Sequence, residues 1–372
     1  MKVSEMRGGY TTGSCATAGM KAALLVIQGQ TPSSKVTIES PQHTYIEVPI
    51  QSVEKLGPTK AQATVIKDGG DDPDVTHGTE VITTVDIAQG QGLLFKAGYG
   101  VGHITKKGLS LPVGEPAINP GPRKMMRFVY DDICREAGQV TVTVSVPAGQ
   151  ELAKKTLNQT LGVEDGISII GTTGLVKPMS EEAFKDSLVP QLKVMKESGY
   201  QTAVLVPGRI GEELAKNVLG IPVEQLAETS NFIGFMLEQA VDIGFKQIVV
   251  IGHIGKLIKV ASGSFHTHNR MSDGRLESIA AYAGIAGAST KVIQEIMDCQ
   301  TTESTFPLLE KAGLAQAVFQ MVADRGAMRA KRYIANEAEV GIIIADLDGH
   351  ILASDALAKR IGKEQGWHIP SM

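Results

Sequence analysis

The sequence is poor in aromatic residues and cysteines and has no excess of basic charge. Aromatic side chains make up 5% of the 372 residues, whereas there are 41 glycines. Cys15, Cys134 and Cys299 are odd in number and far apart, which implies neither a disulfide framework nor a metal-binding cysteine motif. The 36 basic and 40 acidic residues give a net charge of -4, which argues against a nucleic-acid-binding protein. Any anionic ligand must therefore meet a local basic cluster.

Segments that target or anchor a protein are also missing from the sequence. The first residues do not combine a basic segment, an apolar core and a cleavage site, and no apolar run reaches the length of a membrane span. We therefore expect a cytoplasmic protein that has no membrane partner.

The length and the order of predicted elements indicate two domains. A chain of 372 residues exceeds the size at which single cores usually stop growing. From Gly166 onward strands and helices alternate, which predicts a mostly parallel sheet flanked by helices. We predict an N-terminal α+β domain with a mixed sheet at residues 1–148 and a C-terminal α/β domain at residues 149–372.

The stretch from Gly166 to Pro178 reads as a buried strand of that parallel sheet followed by a glycine turn. Ile167 to Ile170 form the apolar run, and the turn consists of Gly171, Thr172, Thr173 and Gly174. In open α/β sheets, ligands bind in the crevice at the carboxyl ends of the strands. The turn is a candidate ligand contact, with a plain connection as the alternative.

Three later loops also carry polar groups, two of them after predicted strands and the middle one as the cap of a predicted helix. They are Pro207 to Arg209, Glu228 to Asn231 and Gly252 to Lys256. If these loops lie side by side at the carboxyl edge, they surround one pocket, and the candidate cofactor contacts in it are Ser230, Asn231, Gly252 and His253.

The run from Gly9 to Cys15 precedes a predicted helix rich in small residues. Its hydroxyls, at Thr11 and Thr12 among others, and the free amides of a helix start are typical of an anion site. Simple N-capping explains the same residues and is the interpretation that the motif alone favours.

Four carboxylates lie between Lys67 and Asp74, at Asp68, Asp71, Asp72 and Asp74. Oxygen ligands for a divalent cation, or a set that holds a polar substrate group, are the two functional interpretations. The spacing is not that of an EF-hand loop. A solvated acidic turn is the alternative, and it is favoured without further context.

Basic residues concentrate in one part of the N-terminal half. Its members are Lys106, Lys107, Arg123, Lys124 and Arg127. They predict either a binding edge for a polyanion or a charged, solvated helix start. The nearby Gly-x-Gly-x-Gly at Gly98 to Gly102 is a weak nucleotide signal, because no strand–helix unit surrounds it.

A second polar segment runs from Ser264 to Arg275. His266 and His268 alternate and would share one face of a strand, but no third ligand at a diagnostic spacing accompanies them. Hydrogen bonding to a substrate is therefore favoured over metal binding for this pair, with Arg270 and Arg275 as neighbouring cations.

These motifs together resemble the cobalt-precorrin-5B C-1-methyltransferase family of anaerobic cobalamin biosynthesis. The matching blocks span nearly the whole chain and are Gly9 to Cys15, Val65 to Gly78, Gly100 to Arg123, Gly166 to Ser180 and Gly252 to Arg275. The resemblance implies methyl transfer from S-adenosylmethionine to C-1 of a cobalt-bound corrin precursor, which gives cobalt-precorrin-6A. It also implies that the cobalt arrives with the substrate, and we expect no protein-bound metal.

We assign roles within that chemistry as hypotheses. Asp72 and His266 are the candidate proton acceptors, and neighbouring amides and lysines are expected to fix the acidic loop. The expected S-adenosylmethionine contacts, mainly in the C-terminal domain, are Gly171, Thr172, Thr173, Gly174, Ser230, Asn231, Gly252 and His253. The expected substrate contacts, with a contribution from the N-terminal domain, are Thr11, Thr12, Lys106, Lys107, Arg123, Lys124, His268, Arg270 and Arg275.

Two other functions compete with this one. A phosphotransferase would need a Lys-Ser or Lys-Thr pair closing a glycine loop, which is absent. A non-catalytic corrinoid-binding protein would bind tetrapyrrole without affinity for S-adenosylhomocysteine. Neighbouring enzymes of the pathway and a second copy of the chain are further candidate partners.

Overall fold

The computed structural model describes residues 5–134 and 138–369, and the chain forms two compact units, Met1–Glu181 and Glu182–Met372. The division lies later than the boundary expected after residue 148. Strands between residues 163 and 176 pair with strands of the N-terminal part, at Gly9–Tyr10, Gly100–Val101 and His103–Ile104. This pairing places the segment in the first unit.

The first unit is an α+β structure. Its elements are β1 (Gly9–Tyr10), α1 (Thr12–Ile27), β2 (Lys35–Glu39), β3 (Tyr45–Pro49), β4 (Ser52–Lys55), β5 (Lys60–Ile66), β6 (Glu80–Ala88), β7 (Gly92–Ala97), β8 (Gly100–Val101), β9 (His103–Ile104), α2 (Pro120–Ile133), β10 (Gln139–Ser145), α3 (Gly149–Ala153), β11 (Val163–Glu164), β12 (Gly166–Ile167) and β13 (Leu175–Val176). The main sheet has the order β4-β5-β6-β10-β7, and only its last pair is parallel. The predicted mixed sheet is confirmed.

The second unit is an α/β structure. Its elements are α4 (Glu181–Glu197), β14 (Thr202–Val206), α5 (Arg209–Glu213), β15 (Leu226–Glu228), α6 (Ile233–Asp242), β16 (Gln247–His253), α7 (Ile254–Ser262), α8 (Arg275–Ile285), α9 (Thr290–Met297), α10 (Phe306–Lys311), α11 (Ala315–Tyr333), β17 (Glu339–Ala345), β18 (Ile351–Ser354) and α12 (Ala356–Gln365). The order is β15-β14-β16-β17-β18, and only β18 is antiparallel. The predicted, mostly parallel sheet is confirmed.

Both faces of the second sheet are buried, as expected for parallel strands covered by helices. Val204, Val249 and Ile343 belong to a cluster that includes residues of α12 and of the π-helical turn Leu214–Val218. The residues that alternate with them, such as Leu205 and Val250, are also fully buried. Among the described residues, no helix combines the length and the apolar character that crossing a membrane requires.

The placement of Ile167 to Ile170 in the parallel sheet was wrong. The strand here is limited to Gly166–Ile167, which pairs with β8, and Ile169 bridges to Ile118 in the first unit. Ile167 and Ile169 are buried in the core of that unit. A short apolar run satisfies either core equally well, so its pattern could not identify the sheet.

Candidate functional site

Three loops meet at the carboxyl edge of the parallel sheet in the second unit. Lys256, in the first turn of α7, donates hydrogen bonds to the carbonyl oxygen of Pro207, which follows β14, and to that of Ser230, which follows β15, at 3.2 Å. The chain at Gly252 and His253 leads directly into the same helix. These three loops therefore lie side by side at this edge.

A carboxylate accompanies this lysine. Burial lowers the pKa of Lys256, and the negative charge of Glu228 opposes that shift. Burial also raises the pKa of Glu228, with a further contribution from Glu212, while Lys256 acts in the opposite direction. Across residues 5–134 and 138–369, no hydrogen-bond or ion-pair partner is found for the Glu228 carboxylate. The edge therefore holds two half-buried charges of opposite sign.

His253 caps α7 and is fixed in one tautomer. Its Nδ1 accepts a hydrogen bond from the Gly255 amide at 3.1 Å, so Nε2 carries the proton and donates to the Glu303 carboxylate. A Cβ atom at Gly255 would lie 2.9 Å from the His253 ring and 3.5 Å from the Thr302 hydroxyl. Only glycine fits between them. Sequence reasoning missed Glu303 because nothing in the sequence connects it to His253.

The segment that contains His266 and His268 is held by backbone contacts. The Thr267 amide donates to the Asn231 carbonyl at 2.9 Å, and buried Lys259 donates to the Thr267 carbonyl at 2.9 Å. The His266 ring lies edge-on to Phe232, with centroids 5.1 Å apart, and 6.4 Å from the exposed His268 ring. The segment is not a strand, so the expected arrangement of the two histidines on one face of a strand is not found.

The two arginines of this segment are placed differently. Arg270 is exposed, whereas the Arg275 Nε donates to the Asp273 Oδ1 at 2.8 Å. A further polar group, which sequence reasoning did not identify, lies in the β17–β18 turn and comprises Asp346, Asp348 and His350. His350 is hydrogen-bonded to Asp346 through its backbone amide at 2.8 Å and its Nδ1 at 3.0 Å.

In the first unit, the Gly171 to Gly174 turn closes on the start of α1. Thr11 is the N-cap, and its hydroxyl accepts from the Ser14 amide at 3.1 Å. The Thr11 amide and the Ser14 hydroxyl donate to the Gly174 carbonyl, at 3.1 and 2.5 Å. The Thr12 hydroxyl accepts from the Ile170 amide at 2.9 Å. The capping interpretation of this helix start is confirmed.

Glycine is required in that turn for two reasons. Gly171 has φ +149°, and a Cβ atom there would lie 2.3 Å from the Thr11 hydroxyl oxygen. Thr173 bonds locally to the backbone of Leu175, and the Thr172 carbonyl accepts from the Gln42 amide group at 2.9 Å. The φ angle of Gly171 and its close approach to Thr11 require glycine without any ligand. Cofactor binding by the turn therefore stays a hypothesis.

The acidic loop is fixed by neighbouring protein groups, as expected. Buried Lys67 donates to Asp74 at 2.5 Å, and Asp74 also accepts from the Thr76 amide at 2.8 Å. The Asp72 Oδ1 accepts from the Met179 amide at 2.8 Å. The remaining two carboxylates are held by Arg7, through its guanidinium to Asp68 and its backbone amide to Asp71.

A basic groove of about 550 Å³ lies beside α2 in the first unit. It is lined by Leu93, Leu94, Phe95, Glu115, Arg123, Lys124 and Arg127. Arg123 donates to the Glu115 carboxylate at 2.9 Å and lies over the Phe95 ring, 5.0 Å from its centroid. Lys106, which donates to the Thr160 carbonyl, and exposed Lys107 do not line this groove. The structure therefore brings together only part of the predicted basic cluster.

Two family profiles match the chain. The profile described as CbiD matches residues 1–178, and the profile described as CbiD, C-terminal domain, matches residues 266–356. The first profile covers nearly all of the first unit, and the second covers about half of the second unit.

Curated relatives named cobalt-precorrin-5B C(1)-methyltransferase are similar to the chain along most of its length. The protein of Desulfitobacterium hafniense (strain Y51) is 41% identical over 97% of this chain and 93% of its own. That of Moorella thermoacetica is 41% identical over 98% of this chain and 99% of its own. That of Methanocaldococcus jannaschii is 42% identical over 93% and 95%, respectively.

One solved structure is also similar in sequence, the cobalamin biosynthesis protein (cbiD) from Archaeoglobus fulgidus. It is 27% identical, and the match covers 73% of this chain and 84% of that protein with a TM-score of 0.37.

Proposed function

The chain belongs to the CbiD family, and we propose on that basis that it methylates C-1 of cobalt-precorrin-5B to give cobalt-precorrin-6A, with S-adenosylmethionine as the donor. The observation that carries this proposal is the match to named methyltransferases at 41% identity over 97% and 98% of the chain. The matches also cover 93% and 99% of those relatives, so both units have counterparts in them.

We place the methyl donor at the carboxyl edge of the second unit. A nucleoside ligand of a parallel sheet binds at such an edge, and the polar groups there suit a zwitterionic nucleoside. The Lys256 ammonium is present, and the fully buried Thr229 hydroxyl has no hydrogen-bond partner among the described residues. Since buried hydroxyls are normally satisfied, a ligand or water is expected there. Further contacts to the donor would come from the residues around Lys256 and Thr229, namely Ser230, Asn231, Gly252 and His253.

We place part of the corrin substrate at the basic groove of the first unit. The substrate carries peripheral carboxylates, and the groove offers Lys124 and Arg127 to bind them. Arg123, already paired with Glu115, would shape the groove wall. The other proposed substrate contacts are Lys106, Lys107, His268, Arg270 and Arg275, whereas the hydroxyls of Thr11 and Thr12 are already hydrogen-bonded within the first unit.

The sulfonium of the donor supplies an activated methyl group, so the chain mainly has to align the two reactants and exclude water. The C-1 carbon forms a bond to the methyl carbon as the carbon–sulfur bond breaks, and S-adenosylhomocysteine leaves. Asp72 or His266 would accept the proton that the macrocycle loses as its conjugation readjusts. The hydrogen bond from the Met179 amide holds the Asp72 carboxylate in one orientation, which suits this role. We place the reaction in the cytoplasm.

Anaerobic incubation with cobalt-precorrin-5B and S-adenosylmethionine tests the proposal. Mass spectrometry should show one methyl group added to the corrinoid for each S-adenosylhomocysteine formed. Asp72→Asn and His266→Gln should identify the proton acceptor, because its loss should lower turnover more than affinity for S-adenosylhomocysteine. Normal turnover in both variants would remove these two residues from the mechanism. A corrinoid that binds without gaining mass would favour a binding protein.

A further inference from the structure

The strand order of the second unit marks one crevice for a ligand. Numbered in chain order within this sheet, the five strands are arranged 2-1-3-4-5. The crossover from β14 leads to β15 on one side, and the crossover from β16 leads to β17 on the other. In doubly wound sheets, the ligand binds at the carboxyl ends of the strands where the order reverses, here between β14 and β16.

A carboxylate lies next to that crevice. The connection from Pro207 through α5 leads to β15, which ends at Glu228 and pairs in parallel with β14. In nucleotide-binding sheets, an acidic residue about 20 positions beyond the first turn accepts hydrogen bonds from a ribose. Glu228 occupies the corresponding place in the order of elements, although this unit has no glycine fingerprint after β14.

The chemical state of Glu228 also indicates a ligand. Its carboxylate is half-buried and has no hydrogen-bond or ion-pair partner in the part of the chain that the structure describes. The adjacent Thr229 hydroxyl is fully buried and likewise has no hydrogen-bond partner there. Burying two neighbouring polar side chains without a protein partner costs free energy, because each loses hydrogen bonds to water. A ligand that donates hydrogen bonds to both would remove that cost.

We propose that Glu228 binds the vicinal ribose hydroxyls of the methyl donor and its product, one hydroxyl to each carboxylate oxygen. This inference rests on the proposed function, because it assumes that the donor is an adenosyl sulfonium compound. The donor's own ammonium group is the other possible partner. Lys256 already supplies a positive charge beside Glu228, which weakens the attraction for a second cation and favours a neutral double donor.

Calorimetric titration tests the proposal without turnover. The wild-type chain should bind S-adenosylhomocysteine about tenfold to a hundredfold more tightly than its 2′-deoxy and 3′-deoxy analogues. Glu228→Gln should weaken binding of S-adenosylhomocysteine by a similar factor and should discriminate far less between it and the deoxy analogues. Glu197→Gln, an exposed change on α4, is the matched control and should retain wild-type values.

Each remaining outcome identifies what has failed. Equal affinity of the wild-type chain for the deoxy analogues overturns the inference even if the variants do not fold. Weaker binding in Glu228→Gln with undiminished discrimination also overturns it and would favour contact with the donor's ammonium. If the wild-type chain transfers methyl groups while Glu228→Gln keeps full affinity, only this inference fails. A wild-type chain that neither binds S-adenosylhomocysteine nor transfers a methyl group contradicts the proposed function as well.

Discussion

The Lys256 Nζ lies 3.2 Å from the carbonyl oxygen of Ser230 and also donates to the carbonyl oxygen of Pro207. One side chain of α7 therefore joins the loops that follow two neighbouring strands. The positive charge of the same ammonium acts to lower the pKa of Glu228, against the effects of burial and of Glu212. The arrangement makes loop geometry and charge at the sheet edge depend on one lysine.

Replacing Lys256 with methionine should therefore weaken donor binding. The variant loses two charge-assisted hydrogen bonds, and each is worth about 1.5–3 kcal/mol. Part of the lost free energy destabilises the folded chain, and only the remainder weakens binding. We therefore expect affinity for S-adenosylhomocysteine to fall about tenfold. Calorimetry measures this, with exposed Lys193→Met on α4 as the control. Unchanged affinity would show that the donor does not use this edge.

Removing positive charge from the basic groove should affect the corrin substrate only. The double variant Lys124→Gln and Arg127→Gln should raise the KM for cobalt-precorrin-5B about three- to tenfold, since each partly exposed charge pair contributes up to about 1 kcal/mol. The effect should shrink as salt rises. Steady-state kinetics and S-adenosylhomocysteine titration separate the two ligands, and Lys55→Gln on β4 is the control. A loss of donor affinity would contradict the assignment.

The Lys67–Asp74 pair should contribute to stability. Lys67 is 2% exposed, so Lys67→Met leaves the half-buried Asp74 carboxylate without its ammonium partner. We expect the free energy of unfolding to fall by about 3 kcal/mol. Chemical denaturation measures this, and Lys60→Met, an exposed position on β5, should have little effect. A loss as small as that of Lys60→Met would show that the pair is not formed.

The same pair should make stability depend on pH. Burial alone would raise the pKa of Asp74, but hydrogen bonds from Lys67 and Thr76 outweigh it and hold the pKa below its ordinary value of 3.8. A lowered carboxyl pKa stabilises the fold above pH 3.8 and loses that contribution as pH falls toward the folded-state pKa. The stability difference between wild type and Lys67→Met should therefore narrow below about pH 4. A constant difference would contradict this assignment.

The variant Gly171→Ala tests whether the Gly171 to Gly174 turn serves packing or binds the cofactor. The new methyl group would collide with Thr11, so we expect a stability loss of about 1–3 kcal/mol. Affinity of the folded variant for S-adenosylhomocysteine should remain at the wild-type value. Normal stability with lost affinity would show instead that the turn contacts the donor.

The sequence predicted elements well where a long pattern repeats. Glu80–Ala88 and Thr202–Val206 match the predicted strands, because each run is rich in β-branched residues and is flanked by turns. Leu226–Glu228 was missed because three residues are too few to show a period. That miss also hid Glu228, which had been assigned only to a polar loop.

Part of the candidate site could also be predicted from the sequence. The loops at Pro207, Ser230 and Gly252 could be grouped because parallel strands end at one edge. The His253–Glu303 contact could not be predicted, since it joins residues 50 positions apart with no shared motif. Gly171 and Thr11 showed glycine and hydroxyl motifs whose contact with each other depends on tertiary packing.

The most direct test of the account is the position of the transferred methyl group. The purified chain is incubated anaerobically with cobalt-precorrin-5B and S-adenosylmethionine that carries a ¹³C-labelled methyl group, and the corrinoid is analysed by NMR. We expect a single labelled methyl attached to C-1 and one S-adenosylhomocysteine formed for each corrinoid converted. A labelled methyl on another carbon, or bound corrinoid that carries no label, would contradict it.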